Sequence, residues 1–286
     1  MSFEAGLDPG FDVVAALRLP FFQRALIAGL LASIACGVVG SFVVVKRITS
    51  ISGGLSHAAF GGIGLAFALG ISPNLGAIAF AVSAGILLAQ IYLHRPNLLE
   101  PAISTLWAGG MALGILLIAL TPGSAPDLLS YLFGSILFVP RDFLLFALAL
   151  DFFIVGTVAL TFKELQATVF DETFARSLGI PVDTLFHAIL VLTSLAVVVL
   201  IRVVGIILII ALLTVPAVIA RQWCQSLGRM MWMATGIGVL STTTGLFLSY
   251  YLSAVHKLDA PTGPLIVLFS IILYGFSSFL VRMRTR

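Results

Sequence analysis

The tightest restriction on this chain is a succession of apolar runs, most of them close to the length of a membrane-crossing helix, with short polar breaks between. A bilayer core takes about 20 helical residues to cross, and in lipid only helices or closed barrels satisfy their own backbone. The runs fall at about 21–45, up to Gly70, 75–93, 101–120, 142–162, 184–201, 204–221, 229–252 and 262–281. That pattern predicts about nine spans, or eight if the short second one is re-entrant. With 60% hydrophobic and 9% charged residues, an ordinary soluble domain is excluded. The expected fold is all-α: one polytopic domain over 1–286, multi-pass in the cell membrane.

The breaks are legible too. Residues 1–20 read as an N-terminal interfacial segment, with a short helix in 12–20 ending at Pro20. The acidic start lacks a basic n-region and an h-region, so no cleaved signal peptide is apparent. Thr121 to Asp127 breaks the chain, and the apolar piece Leu128 to Val139 is too short to cross, which suggests a re-entrant or interfacial half-helix. Lysine and arginine favour cytoplasmic loops. Lys46, Arg47, Arg95, Lys163, Arg176, Arg221, Arg229, Arg282, Arg284 and Arg286 fall on one side, against Arg18, Arg24, Arg141, Arg202 and Lys257 on the other. This bias places the C-terminus and the loop 163–183 in the cytoplasm; an odd number of spans then puts the N-terminus outside.

One polar knot interrupts the greasy sequence, Lys46 to Ala68. On a helix, Gly53, His57, Gly61, Gly64 and Ala68 share a face. Such a bare stripe lets another helix, or a small solute, come close to the backbone. His57 is the one strong hydrogen-bonding side chain on it, and a metal-capable group facing into a bundle marks a functional candidate. The plain alternative is a hydrogen bond to a neighbouring helix. Ser56 can bond a backbone carbonyl, the favoured reading, or offer its oxygen to an ion.

The loop 163–183 has helix punctuation. Asp171 suits an N-cap, Glu172 and Thr173 the first turn, Arg176 a late position, and Gly179 a left-handed stop. Phe170, Phe174, Ala175 and Leu178 are expected to line one apolar side. So short a helix is not stable alone and needs a partner surface. That surface is either a groove on a cytoplasmic protein or the membrane and the chain's own bundle.

Several stretches, in order, now resemble one family. They are Ser56-His57-Ala58 with its glycines, Tyr131 to Leu137, the loop Phe170 to Ile180, Val204 to Ala217, and Asp259 to Leu268. The set is similar to the permease subunit of ABC importers for zinc, manganese and ferrous iron, over about residues 20–282. The resemblance implies a type II ABC importer-like permease, a homodimer with two cytoplasmic ATPase subunits and an extracytoplasmic metal-binding protein. It implies that Phe170, Asp171, Glu172, Phe174, Ala175, Arg176, Leu178 and Gly179 form the element coupled to the ATPase. Many members carry an acid four positions before the histidine; here Gly53 stands there, so a lone imidazole faces the metal. Zinc usually takes four ligands and manganese prefers oxygen. Other helices must then supply ligands, or two His57 meet across a dimer, or the metal passes loosely held.

Further candidates are few. Asp151, inside the fifth run, is either a second metal contact or a structural hydrogen bond to a Ser or Thr on a nearby helix. Pro216 is expected to break the seventh helix, as a packing kink or a gate hinge. Asp259 reads as the capped start of the last helix and as a possible contact of the metal-binding protein. No nucleic-acid-binding stripe is present. No Walker A sequence, G-x-S-x-G or H-E-x-x-H occurs, so this chain is expected to be no enzyme and to bind no cofactor of its own. ATP would be hydrolysed by the partner, with Zn2+ or Mn2+ as cargo. An ion-gradient-driven secondary carrier or channel without an ATPase stands as the alternative.

Overall fold

The computed structural model describes residues 13–121, 132–134, 136–206, 209–258 and 260–284. Twelve α-helices follow one another there: α1 Val13–Arg18, α2 Pro20–Val45, α3 Ser50–Leu69, α4 Pro73–His94, α5 Leu99–Leu120 and α6 Arg141–Leu160. After them come α7 Phe162–Phe170, α8 Glu172–Ser177, α9 Val182–Val203, α10 Ile209–Trp223, α11 Leu227–His256 and α12 Thr262–Arg284. Single 3-10 turns lie at Pro96–Leu98 and Ile136–Phe138. Among the described residues the fold is all-α, and the protein is a multi-pass membrane protein.

Among the described residues, eight helices are long and apolar enough to cross a membrane. The expected seventh span is the exception: α10 has 15 residues and starts at Ile209 rather than 204. Alone it is short of a bilayer's thickness. Its two flanks nevertheless sit at opposite ends of the bundle. Ahead of it, Gly205 has φ +86 and packs backbone to backbone on Gly134, φ +76. Both positions need glycine, because a Cβ on either would strike the other's main chain. At its far end Trp223 Nε1 donates to Ser277 Oγ at 2.8 Å, near the end of α12. The described residues on either side of positions 207 and 208 thus reach towards both ends of the bundle.

Pro20 corrects the reading of the N-terminal segment. The short helix ends at Arg18, and Pro20 opens α2 at its first turn. A first-turn proline loses nothing, since its missing N–H would have had no partner anyway. Pro216 corrects another expectation: α10 runs on through it without a break, and the ring is buried. The half-helix expected over 128–139 is reduced, within the described residues, to helical Leu132–Phe133 and the turn Ile136–Phe138.

The centre of the bundle is α2, which packs against α6, α9, α10 and α11. Lipid gives no hydrophobic drive for helices to pair, so close approach must come from small residues. Gly37 meets Thr235 of α11, and Gly40 meets the Leu213 carbonyl of α10. The buried hydroxyls of Ser33 and Ser41 donate back to the carbonyls of Gly29 and Gly37, at 2.6 and 2.7 Å. Those internal bonds let polar residues sit in the interior without stranded groups.

Candidate functional site

The small-residue face of α3 forms as its spacing predicts, and a helix occupies it. Gly53 lies under the Trp107 ring of α5, Gly61 against Gly110, and Gly64 against Gly114. Gly110 in turn lies against the His57 carbonyl. Ala68, at the far end of the stripe, is exposed.

His57 is buried on this face, 6% exposed. Its imidazole stacks on the Trp107 indole, with centroids 4.8 Å apart and planes 24° from parallel. Its Nδ1 is buried and meets no hydrogen-bond partner, so the bland expectation of a hydrogen bond from this atom to a neighbouring helix does not hold. Ser56 does the ordinary thing: its hydroxyl donates to the Gly53 carbonyl at 2.8 Å. Trp107 was not among the candidates from sequence. The signal was there in Leu106-Trp-Ala-Gly-Gly, an aromatic ring next to two glycines, but its partner across the interface was not readable.

Asp151 lies elsewhere. It is 3% exposed on α6, which packs on α2, α7 and α9, whereas α3 packs on α4, α5, α9 and α10. Neither carboxylate oxygen has a hydrogen-bond partner, so the structural bond to a Ser or Thr is absent. Cys36 is a buried free thiol on α2, one of the helices that α6 packs against. His57 and Asp151 thus belong to different helix groups. Among the described residues no three or more His, Cys, Asp or Glu side chains gather. Asp259 lies outside the described residues.

The loop 163–183 is two helices, α7 and α8. Asp171 is the N-cap of α8, its Oδ1 accepting the Phe174 N–H at 2.9 Å. Gly179 stops the segment at φ +76, and the Ile180 N–H returns to the Ala175 carbonyl at 3.1 Å. The apolar residues do not share a side, however. Ala175 is fully buried against the protein, while Phe170, Phe174 and Leu178 are 59, 57 and 61% exposed. Ala175 lies one residue from Phe174, about 100° round the helix, so the seat and the exposed face diverge. Three large apolar side chains thus stand in the open between the end of α7 and the C-cap of α8. Arg176, late in α8, pairs with Asp183 at the start of α9. The hydrogen bond to Asp183 holds its guanidinium above the ordinary arginine range.

The basic residues assigned to one side by charge bias also meet in space. Lys46 pairs with Glu172, and Arg221 Nη1 donates to the Val44 carbonyl at 2.9 Å. At the other end, Phe22 packs edge-on against Phe247 and Tyr250, and Ser249 Oγ donates to the Ala260 carbonyl at 2.9 Å.

The comparisons with known proteins fit this architecture. Residues 18–281 match the model of the ABC 3 transport family. An uncharacterized membrane protein of Synechocystis is 40% identical over 265 residues, covering 93% of this chain and 92% of the relative. The manganese import system permease protein ScaB of Streptococcus parasanguinis is 33% identical, covering 91% of this chain and 90% of the relative. Among solved structures, that of PsaBC from Streptococcus pneumoniae in complex with Fab superposes with a TM-score of 0.82 at 31% identity, covering 92% of this chain and 93% of that one. Matched over nearly its whole length, with the same fold, this chain belongs to the ABC 3 transport family.

Proposed function

We propose that this chain is the membrane permease of an ATP-driven importer that brings a divalent transition metal into the cytoplasm by alternating access. Manganese is the first candidate cargo, because a relative covering nine-tenths of this chain is a manganese import permease; zinc and ferrous iron follow. The permease works as a homodimer, two cytoplasmic ATPase subunits supply the energy, and an extracytoplasmic metal-binding protein delivers the ion near Asp259.

One observation carries this reading: the end of α7 and the capped helix α8 with its C-cap hold Phe170, Phe174 and Leu178 out from the bundle. An exposed apolar triplet on an element too short to stand alone is what a groove on a partner subunit receives. His57 serves as the metal contact, since its Nδ1 is buried and unbonded. With Gly53, covered by the Trp107 ring, where many members of the family carry an acid, the imidazole holds the ion weakly enough to release it. Gly205 lies ahead of the short helix α10 and Pro216 within it, and both suit a hinge. Residues 163–183 form the coupling unit within a single permease domain.

The test is ATP hydrolysis by the reconstituted complex, stimulated in turn by manganese, zinc and ferrous iron, with His57→Ala and Asp151→Asn alongside. His57→Ala is expected to flatten the metal dependence. A metal dependence unaltered by both substitutions removes the site assignment. Metal uptake driven by an ion gradient with no ATPase present supports the carrier alternative instead.

A further inference from the structure

The cytoplasmic end of α2 carries contacts that the proposed function does not use. Lys46 closes α2 as its C-cap, where a cation favours the helix dipole. Its side chain is only 8% exposed and pairs with Glu172, the first residue of α8, itself 29% exposed. Tyr92 of α4 donates to the same Glu172 oxygen at 3.2 Å. The Tyr92 ring stacks on Phe186 of α9, centroids 4.2 Å apart, and Lys46 Nζ lies 5.7 Å from each of these two rings. One cation thus ties together α2, α4, α8 and α9.

What α8 grips through Lys46 is the turn between α2 and α3. Arg47 has φ +59, and the Ile48 N–H returns to the Val43 carbonyl at 3.1 Å, which reverses the chain. Helix α3 then starts at Ser50, and His57 lies about 10 Å along its axis, at 1.5 Å per residue. The other links of α8 do not reach that far. Arg176–Asp183 is exposed, 48 and 56%, and joins α8 only to the next helix in sequence. Ala175 makes apolar contact, which resists being pushed but resists little when pulled. A shielded ion pair resists separation, and losing one partner strands the other charge.

We propose that Lys46 is a positioning residue that carries the displacement of α8 to the α2–α3 turn, and so to the helix bearing His57. This inference rests on the reading of α8 as the helix that meets the ATPase. It assigns Lys46 and Glu172 to transmission: they touch neither metal nor nucleotide, and they set how much metal moves per ATP.

The experiment uses the complete complex in proteoliposomes and measures metal uptake and ATP hydrolysis together. The probe is the free ion, manganese, zinc or ferrous iron, whichever the wild-type complex takes up. With Lys46→Ala, hydrolysis continues and the metal moved per ATP falls about tenfold, the size of an ordinary coupling between sites. The charge swap Lys46→Glu with Glu172→Lys restores the ratio to near wild type. An unchanged ratio in assembled Lys46→Ala overturns the proposal, as does a swap that restores nothing. If Lys46→Ala does not assemble, the swap decides alone, by the same ratio. Phe174→Asp with Leu178→Asp separates the two readings. If that variant keeps its ATPase bound, the reading of α8 fails and Lys46 falls with it. If it sheds the ATPase while Lys46→Ala keeps its ratio, the inference on Lys46 fails alone.

Discussion

The chain keeps its polar groups in two regions that are built in opposite ways. At the end of the bundle that holds α8 most are paired: Lys46 with Glu172, Tyr92 with Glu172, Arg221 with the Val44 carbonyl, Asp171 with the Phe174 N–H, with Thr168 Oγ1 and His187 Nε2 as the exceptions. Within the bundle, His57 Nδ1 and both Asp151 oxygens are buried with no partner. A buried polar atom without a hydrogen bond costs about 1–3 kcal/mol. Paired groups fix the shape of an element; unpaired ones keep hydrogen-bonding capacity that the chain itself does not use. Under the proposed function, the first part transmits force and the second meets the cargo.

The comparison breaks most visibly at the exposed triplet. Phe174→Asp with Leu178→Asp is expected to abolish both ATPase co-purification and metal uptake. Since both side chains are exposed, the unfolding free energy of the permease itself should stay within about 0.5 kcal/mol of wild type. Next comes the glycine seam under His57. Gly110→Val drives a side chain into the His57 carbonyl; overpacking of this kind costs about 1–3 kcal/mol and should lower the thermal midpoint in detergent. Gly109, one residue away, faces open space, and Gly109→Ala should leave that midpoint unchanged or raise it, helix propensity adding up to about 1 kcal/mol of stability. In the metal-facing region, His57→Ala should raise the half-saturating metal concentration about tenfold, as expected when a metal site loses one supporting group. The smallest effect belongs to the exposed pair: Arg176→Gln should cost under about 1 kcal/mol, vanish in high salt and leave uptake untouched.

Much of this was legible in the residues, for physical reasons. Apolar run length marks spans in any bilayer, so the passages were countable before their packing was known. Capping is local, so Asp171 and Gly179 announced the bounds of α8 from sequence alone. The spacing of Gly53, His57, Gly61 and Gly64 put them on one face because a single helix determines it. What stayed hidden depends on distant chain segments. Trp107 over Gly53 and Glu172 on Lys46 join residues far apart in sequence, and no local pattern reports such a meeting. Ala175 was grouped with Phe174 and Leu178 by hydrophobicity, yet tertiary packing turned it inward. Pro216 failed as a helix breaker because its helix is held on several sides by α2, α11 and α12.

The most direct test places a thiol on the exposed face of α8. In a Cys224→Ser background, where the remaining native Cys36 is buried, Phe174→Cys is treated with a short thiol-reactive crosslinker in membranes that carry the assembled transporter. The expected product is a permease–ATPase adduct, blocked by an impermeant thiol reagent supplied from the cytoplasmic side. A thiol blocked only from the outer side, or one that joins no other subunit, would contradict the assignment of α8 as the element through which ATP drives this protein.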